Sequence, residues 1–280
     1  MSYVPITFHD EHFISVLNRY ELLTGRLQHA TQEYCLAPSY RIKSRDSTLL
    51  EQWQKDHLVL ARDFLWNHTF EPATQLLAGK SFLKMQKKYR ALMCKYCIQD
   101  DINNSGVAYA HRTHNFPGVT YCHLHNVKLE CTCSMCGVVH FMHETSKYYA
   151  CFSKQLEPPR DISAANVTDM KYSKFICEML FSPKRNITNK TRSKAILNKI
   201  IDLGLNRGLS KNRRTLEPYI SKKLKNSTLM FQAPYQNFSV HRMSIQDGAI
   251  FLFALFEKFD TYYEYTEKSS CFDFIDNALE

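Results

Sequence analysis

Apolar residues recur three and four positions apart along much of this 280-residue chain, which is the spacing of amphipathic helices. The pattern predicts a packed helical domain in the first ninety residues. Its first helix is expected to begin after His9 or Asp10 and to end near Gly25, and Ser47 or Thr48 can start a later helix. The periodic segments are HFISVLNRYELLTG (12–25), LVLARDFL (58–65), KYSKFICEMLF (171–181) and SKAILNKIIDLGL (193–205).

A last helix is predicted over residues 245–259, where QDGAIFLFALFEKF is apolar on most faces and belongs in a core. Its apolar run, residues 249–256, is far shorter than the ~20 residues that cross a bilayer. No basic start followed by an apolar stretch marks a signal peptide. We therefore expect a soluble, cytoplasmic protein without a membrane partner. The acidic, aromatic segment that follows, TYYEYTEKSSCFDFIDNALE, fits either docking on this domain or fraying.

The helical spacing disappears between Cys94 and Cys151. Residues 103–106 and 117–118 predict turns, while VAYAH (107–111) and GVTYC (118–122) alternate like two short strands. This part is expected to be a small, loop-rich module with too little core to fold alone. Beyond it, the paired prolines of FSKQLEPPRD predict a linker.

Seven of the ten cysteines lie between Cys94 and Cys151. Because no secretion signal accompanies them, this clustering points to reduced thiols that hold metal rather than to disulfides. Cys94 and Cys97 form a CxxC pair, and Cys122 and His125 form a second pair after 24 intervening residues. Two such turns complete the tetrahedral shell of Zn²⁺, whose binding would supply much of the folding free energy. A redox-active CxxC would need a βαβ unit around it, which the sequence does not indicate.

A second zinc site is predicted directly downstream. Cys133 and Cys136 form another CxxC followed by Gly137, and Cys151 is the expected third ligand. The fourth ligand stays open, because Lys154 stands where a second CxxC would end. The candidates are Cys131, which we include in the predicted ligand set, His140 and His143.

Catalysis by these clusters is not expected. A closed shell of four protein ligands leaves no position on zinc for a substrate or an activated water. Asp100 and Asp101 are the acidic residues inside the first module, and their place in a predicted turn favours solvent exposure over a general-base role. The sequence thus predicts a structural Zn²⁺ in the first site and a protein that is not an enzyme.

Positive charge is concentrated in residues 184–225, where thirteen Lys or Arg and two acids give a net charge of +11, against +9 for the whole chain. Clustered charge of one sign is the expected footprint of a nucleic-acid-binding surface. The basic residues assigned to this surface are Arg207, Lys211, Arg213, Arg214, Lys222, Lys223 and Lys225.

Two helices are predicted to carry this charge. The first stops near Gly204, and the second is capped by Thr215 with Pro218 in its first turn, where a missing N–H costs nothing. The pair has the spacing of a helix-turn-helix. The inner side of the first helix is expected to consist of Ile196, Leu197, Ile200, Ile201 and Leu203.

Together these patterns predict a mainly α-helical chain with small zinc-bound β/loop modules. We place a helical N-terminal domain in residues 1–90 and a tandem zinc-binding module, a tandem zinc-finger region, in residues 91–155. A basic, helix-turn-helix-like helical domain follows in residues 156–280.

Four stretches of the chain resemble the TniQ/TnsD family, which comprises target-selection proteins of bacterial Tn-seven-like transposons, including CRISPR-associated ones. The central stretch is the most specific, because aromatic and basic residues precede CHLHNVKL together with the ligand spacing. That motif places the first zinc on Cys94, Cys97, Cys122 and His125. The stretches are FHDEHFISVLNRYELLTG, NHTFEPATQLLAG, CKYC…AYAHRTHNFPGVTYCHLHNVKLECTCSMCG and IIDLGLNRGLSKNRRTLEPYISKKL.

The resemblance implies a non-catalytic protein of the bacterial cytoplasm and nucleoid that marks an insertion site for DNA transposition. Such a protein recruits the transposon's AAA+ ATPase regulator, which brings the transposase. Some family members read an attachment site in duplex DNA, whereas others form a homodimer on a CRISPR Cascade ribonucleoprotein whose guide RNA reads the sequence. This chain is shorter than the members that bind attachment sites, which favours the adaptor role. The basic helix pair favours the alternative, a stand-alone sequence-specific zinc-containing DNA-binding protein.

Overall fold

The computed structural model describes residues 6–13, 15, 16, 19, 23, 61–77, 91–140, 143, 145–152, 166–183, 187–205, 212–231 and 243–278. Several expectations lie outside these residues, among them the helix end at Gly25, a helix start at Ser47 or Thr48, and the linker around Pro158 and Pro159. None of the described helices is both long and apolar enough to cross a membrane.

The described part of the chain is mainly helical, as predicted. Residues 13, 15, 16, 19 and 23 are also helical and precede the first helix with defined bounds. The helices are α1 (Ala61–His68), α2 (Glu71–Leu77), α3 (Lys95–Ser105), α4 (Arg112–Asn115), α5 (Thr145–Cys151), α6 (Val167–Leu180), α7 (Asn189–Asp202), α8 (Asn212–Lys223), α9 (Ile245–Phe256) and α10 (Phe259–Ala278).

The chain forms two compact units. The first comprises residues 1–71 and 82–165, and the second comprises residues 72–81 and 166–280. The N-terminal segment therefore belongs to the same unit as the cysteine-rich module. A buried polar network joins the N-terminal segment to this module. Hydrophobic periodicity in the sequence does not reveal such a network.

The predicted strand pair, VAYAH with GVTYC, is wrong. Within the described residues, β-structure is limited to isolated antiparallel bridges. His111 bridges Glu11 of the N-terminal segment, whereas Tyr121 bridges Lys128 across the turn that follows it. Each segment thus pairs with a different part of the chain, and each pairing is a single-residue bridge rather than a strand.

A helix, α3, replaces the turns predicted after Cys94. It buries Cys97, Ile98 and Asp101 on one face. Because that face contains a thiol and a carboxylate, its apolar periodicity is weak. The predicted turn residues end the helix: Gly106 has φ 73° and its N–H donates to the Ile102 carbonyl.

A buried ion pair ties the N-terminal segment to the cysteine-rich module of the first unit. The Asp10 carboxylate accepts hydrogen bonds from Arg112 Nε at 3.2 Å and from the Thr113 N–H at 3.3 Å, and the Thr113 hydroxyl also donates to it. Arg112 Nη1 donates to the carbonyls of Trp66 and Thr69 at 2.6 and 3.2 Å. Asp10 and Arg112 are 4% and 1% exposed. Asp10 is therefore an anchor in the core rather than the helix N-cap for which the sequence made it a candidate.

His111 lies between two carboxylates in the same network. Its Nδ1 is 3.4 Å from Asp10 and its Nε2 is 3.1 Å from Asp101. Burial by itself would lower the pKa of His111, but hydrogen bonds and charge from Asp10 and Asp101 raise it to about 10. Burial would likewise raise the pKa of Asp10, yet His111, Arg112 and Thr113 lower it to about 2. Asp101 is buried, which corrects the expectation that it faces solvent.

The second unit is built around α9, which contacts α6, α7, α8 and α10. All residues from Gly248 to Phe256 are buried, so the predicted core helix is confirmed. The Ser244 hydroxyl caps its first turn by accepting the Asp247 N–H at 3.0 Å. The helix ends at Phe256, three residues earlier than predicted, because Glu257 adopts φ 58° and turns the chain.

The acidic, aromatic C-terminal segment forms α10 and packs against α7 and α9. The Phe259 N–H at its start donates to Glu178 at 3.2 Å. Tyr262 is fully buried, and the Tyr265 hydroxyl donates to Asp202 at 2.5 Å. Of the two alternatives for this segment, docking is the one observed.

Two predicted details of the basic helices are wrong. Leu197 and Ile201 were expected on the inner side of α7 but are 46% and 45% exposed, because the buried face is narrower and is formed by Ile196 and Ile200. Helix α8 starts at Asn212, so Thr215 is not its N-cap and Pro218 lies inside it. The end of α7 is as predicted: Gly204 has φ 67°.

Replacing Asp10 by Asn is expected to lower the free energy of unfolding by ~3–5 kcal/mol, because Arg112 and His111 then lose a buried carboxylate partner. Urea denaturation followed by circular dichroism measures the change. Asp63→Asn, at an exposed position of α1, is the matched control and should shift stability by less than ~0.5 kcal/mol. Equal stabilities for the two variants would contradict the anchoring role of Asp10.

The contribution of His111 to the free energy of unfolding should depend on pH. Its folded pKa, about 10, lies above the ordinary value of 6.5, so its stabilising effect is fully present below pH 6.5 and is lost as the pH rises towards 10. The stability difference between the wild type and His111→Gln should therefore shrink between pH 6.5 and pH 10. Urea titrations at several pH values in this window test this, and a constant difference would contradict it.

Candidate metal centres

The four residues predicted for the first zinc site lie together. The ligand atoms of Cys94, Cys97, Cys122 and His125 are all within 4.8 Å of one another. His125 Nδ1 is 3.6 Å from Cys94 Sγ, 3.3 Å from Cys97 Sγ and 3.7 Å from Cys122 Sγ. Cys97 Sγ and Cys122 Sγ are 3.6 Å apart.

These separations match a tetrahedral zinc site. With Zn–S bonds of about 2.3 Å and Zn–N bonds of about 2.0–2.1 Å, neighbouring ligand atoms lie roughly 3.5–3.8 Å apart. Hydrogen bonds from Cys122 and Cys97 lower the pKa of Cys94 to about 2, whereas hydrogen bonding to its neighbours together with burial raises the pKa of Cys97. Three buried sulfurs at this distance cannot all be thiolates without a cation between them. The cluster can therefore hold a metal ion, and its donor set suits Zn²⁺.

A tight turn shapes the second half of this cluster. The Asn126 N–H donates to the Cys122 carbonyl at 2.9 Å, and the Cys122 N–H donates to the Val127 carbonyl at 2.8 Å. The His125 N–H points at Cys122 Sγ at 3.4 Å and stabilises a thiolate there. Asn126 has φ 55°, the left-handed conformation that Asn tolerates better than most residues.

Two residues outside the predicted ligand set support the first cluster. Asp100 Oδ2 is 3.2 Å from His125 Nε2, so this nitrogen can donate to the carboxylate while Nδ1 faces the sulfurs. His114 Nε2 lies 3.9 Å from Cys97 Sγ, and burial lowers the pKa of His114 to about 3, which keeps its imidazole neutral. The sequence did not reveal this role, because Asp100 and His114 reach the cluster only through the placement of α3 and α4.

A second cluster is formed by Cys133, Cys136, His143 and Cys151, whose ligand atoms are also within 4.8 Å of one another. Its Cys133–Cys136 turn repeats the backbone geometry of the first. The Gly137 N–H donates to the Cys133 carbonyl at 2.8 Å, and the Cys133 N–H donates to the Val138 carbonyl at 2.7 Å. Gly137 has φ 74°.

The fourth member of this cluster is His143, which corrects the inclusion of Cys131 in the predicted set. Cys131 is exposed and lies outside the cluster. His143 Nε2 is 3.4 Å from Cys151 Sγ, and its ring stacks on Tyr148 with centroids 3.9 Å apart. His140, the other candidate, points its Nδ1 at the Tyr148 hydroxyl, 2.8 Å away. Helix α5 decides the choice, since it presents Tyr148 and Cys151 on the same side.

The two clusters differ in their access to solvent. The three cysteines of the first cluster are at most 2% exposed. In the second, Cys133 is buried, Cys151 is partly buried and Cys136 is exposed. Exchange of a bound ion should therefore be faster at the second cluster.

The basic residues predicted to bind nucleic acid are only partly described. Arg207 and Lys211 lie outside the described residues, and Arg213 and Arg214 lie inside α8 rather than before it. At the other end of this helix, three predicted residues are exposed, and one of them, Lys223, forms an ion pair with Glu257. These three are Lys222, Lys223 and Lys225.

Not every basic residue of segment 184–225 contributes to the surface charge. Arg192 is 2% exposed, and its Nη2 donates to the Gln75 carbonyl at 2.6 Å. It holds α2 against α7 within the second unit and is not available to a ligand.

Comparison with known proteins adds no assignment: no family model matches the chain, and a search of curated proteins finds no match.

The clusters predict a metal content of two Zn²⁺ per chain when the protein is purified under reducing, chelator-free conditions. Cys97→Ser and His143→Ala should each lower this content to one, measured by inductively coupled plasma mass spectrometry. Cys131→Ser is the matched control for the second site and should keep both ions. Loss of an ion from Cys131→Ser together with retention in His143→Ala would contradict the ligand set of the second cluster.

Proposed function

We propose that this chain is a zinc-containing, non-catalytic target-selection protein for DNA transposition. In this role it links a target, either DNA itself or a Cascade ribonucleoprotein on DNA, to an AAA+ ATPase regulator. The metal ions are structural. They hold a scaffold that partners recognise, and the ATPase and transposase perform the chemistry.

The observation that carries the proposal is the convergence of the segments on which the family resemblance rests. FHDEHF supplies Asp10, AYAHRTHN supplies His111 and Arg112, and CKYC with CHLH supplies the first metal cluster. The first two segments meet in one buried network, in which Asp10 bonds Arg112 at 3.2 Å and lies 3.4 Å from His111. Segments far apart in sequence thus depend on one another, as expected if the resemblance reflects a shared scaffold.

A structural rather than catalytic role for the metal is supported by the donor sets. Each cluster has four protein donors, which is the full complement of a closed tetrahedral site. The acids near the first cluster are also engaged: Asp100 faces His125, and Asp101 faces His111. A metal enzyme would instead need an open coordination position beside a free base.

A stand-alone DNA-binding protein is the second candidate, favoured by the exposed lysines at the end of α8. In that case the chain reads an attachment site itself and needs no ribonucleoprotein. The two candidates differ in one observable property, which is whether sequence-specific protection of DNA requires the guide RNA complex.

Reconstituted transposition tests the proposal. We expect insertion at a defined target when this chain is combined with the transposase and AAA+ ATPase encoded beside it, a donor element and a target plasmid, with the Cascade complex where one is encoded. Insertions are mapped by sequencing. Omission of the chain should abolish targeting, and Cys97→Ser should do the same by releasing the first metal ion. Cys131→Ser serves as the matched control with both clusters intact.

Targeting that is unchanged without the chain would overturn the proposed function. DNase I footprints with and without the Cascade complex then separate the two candidates. Protection that requires Cascade supports the adaptor, and sequence-specific protection by the chain alone supports the stand-alone DNA-binding protein.

A further inference from the structure

A groove of about 370 Å³ opens on the second unit where α7, α8 and the α9–α10 junction meet. Three lysines and one acid are among its lining residues, which gives these side chains a net charge of +2. We call it the basic groove. Its charged and aromatic residues are Lys199, Tyr219, Lys223, Phe256, Glu257 and Lys258.

Glu257 stands at the centre of this positive charge. Its carboxylate pairs with Lys223, and the charges of Lys223, Lys171 and Lys199 lower the pKa of Glu257 further. These lysines come from three different helices, α8, α6 and α7. In the part of the chain that the structure describes, neither Lys199 nor Lys258 forms an ion pair with an acid, so most of the positive charge is left for a ligand.

Glu257 also occupies a strained backbone position. Its φ of 58° is in the left-handed region, which costs energy for a residue with a side chain and usually favours Gly or Asn. A surface ion pair such as Lys223–Glu257 contributes at most ~1 kcal/mol to stability. The presence of Glu at this position is therefore better explained by its charge than by the turn or by stability.

The lysine side chains are held over aromatic rings. Lys199 Nζ lies 5.8 Å from the Phe256 ring centre and 5.2 Å from that of Tyr265, and Lys223 Nζ lies 5.7 Å from that of Tyr219. Such contacts restrict where the ammonium groups point. They also cover the Tyr219 and Phe256 rings, so these rings do not offer a free platform on which an unpaired base could stack.

Helix dipoles account for only part of this arrangement. Lys199 and Lys223 lie in the last turns of α7 and α8, where positive charge is favourable. That effect falls off within a turn, and it does not explain Lys171, which lies near the N-terminal end of α6. Exposed Lys222 and Lys225 extend the positive surface along the same end of α8.

We propose that the basic groove binds the phosphate backbone of duplex DNA and that Glu257 is the internal competitor that a phosphate displaces from Lys223. Phosphate groups match the surplus of ammonium groups, and the covered rings favour a duplex backbone over a single strand. This proposal rests on the proposed function for the presence of DNA. It differs from that function in locating a contact that does not depend on base sequence.

The competitor role predicts changes of opposite sign within one groove. Glu257→Gln should tighten binding to a fluorescein-labelled 30-base-pair duplex by roughly fivefold, because Lys223 becomes available to a phosphate. The double variant Lys199→Gln/Lys258→Gln should weaken binding and reduce the slope of log K against log salt by about 2 × 0.9, because two phosphate contacts are lost. Fluorescence anisotropy of the full chain, titrated at several NaCl concentrations, measures both.

Two control variants each remove a single charge, one acidic and one basic, away from the groove. Glu264→Gln changes an exposed acid of α10, and Lys128→Gln changes an exposed lysine of the first unit. Both should leave affinity within about twofold of the wild type and leave the salt slope unchanged. Thermal unfolding of each variant verifies that the fold is retained. Equal effects of Glu257→Gln and Glu264→Gln would overturn the groove, since long-range charge alone would then explain the result.

The experiment separates this proposal from the proposed function. A wild-type chain that directs transposition while its DNA binding ignores all groove substitutions overturns the groove and leaves the function standing. DNA binding that responds to the substitutions as predicted, without any requirement for the chain in targeted insertion, supports the groove and overturns the function. A response confined to a single-stranded RNA of equal length would overturn the duplex proposal in favour of an RNA contact.

Discussion

Three buried sulfurs and one imidazole nitrogen lie within 4.8 Å of one another in the first unit, and a metal ion held by this donor set would fix their positions. The constraint reaches well beyond the four ligands. The cluster joins the start of α3 to the turn after Tyr121, two segments that are also linked by the bridge between Met93 and Glu130. A bound ion would thus give a defined backbone to a module with little regular β-structure and a small apolar core.

Helix α3 extends that constraint to the N-terminal segment. Within two turns it carries Cys97 for the metal cluster, Asp100 beside His125, and Asp101 beside His111. His111 in turn contacts Asp10, the residue that anchors the N-terminal segment. The candidate metal cluster and the buried ion pairs are therefore connected through α3 and His111. The second cluster repeats the same backbone turn but has a more exposed cysteine, so a similar donor set is more accessible to solvent there.

The second unit is stabilised mainly by the burial of apolar side chains. Its centre is α9, buried almost throughout, and its charged residues serve separate purposes according to their depth. Arg192 is buried and holds a backbone carbonyl of α2, whereas Lys223 is exposed and paired with Glu257. A high positive charge in the sequence is therefore not a uniform binding surface. The structure divides it into an internal brace and a groove whose positive charge exceeds its negative charge.

The sequence by itself determined the features that rest on local spacing. A CxxC or CxxH turn brings two donors together whatever surrounds it, and the periodicity of α9 requires burial, so the first metal cluster and the core helix were both predictable. Tertiary structure decided which distant residues complete each set. His143 rather than Cys131 joins the second cluster because α5 packs Tyr148 under its ring, and Asp101 is buried because His111 meets it from another segment. Such choices depend on the relative placement of separate helices, which no local spacing encodes.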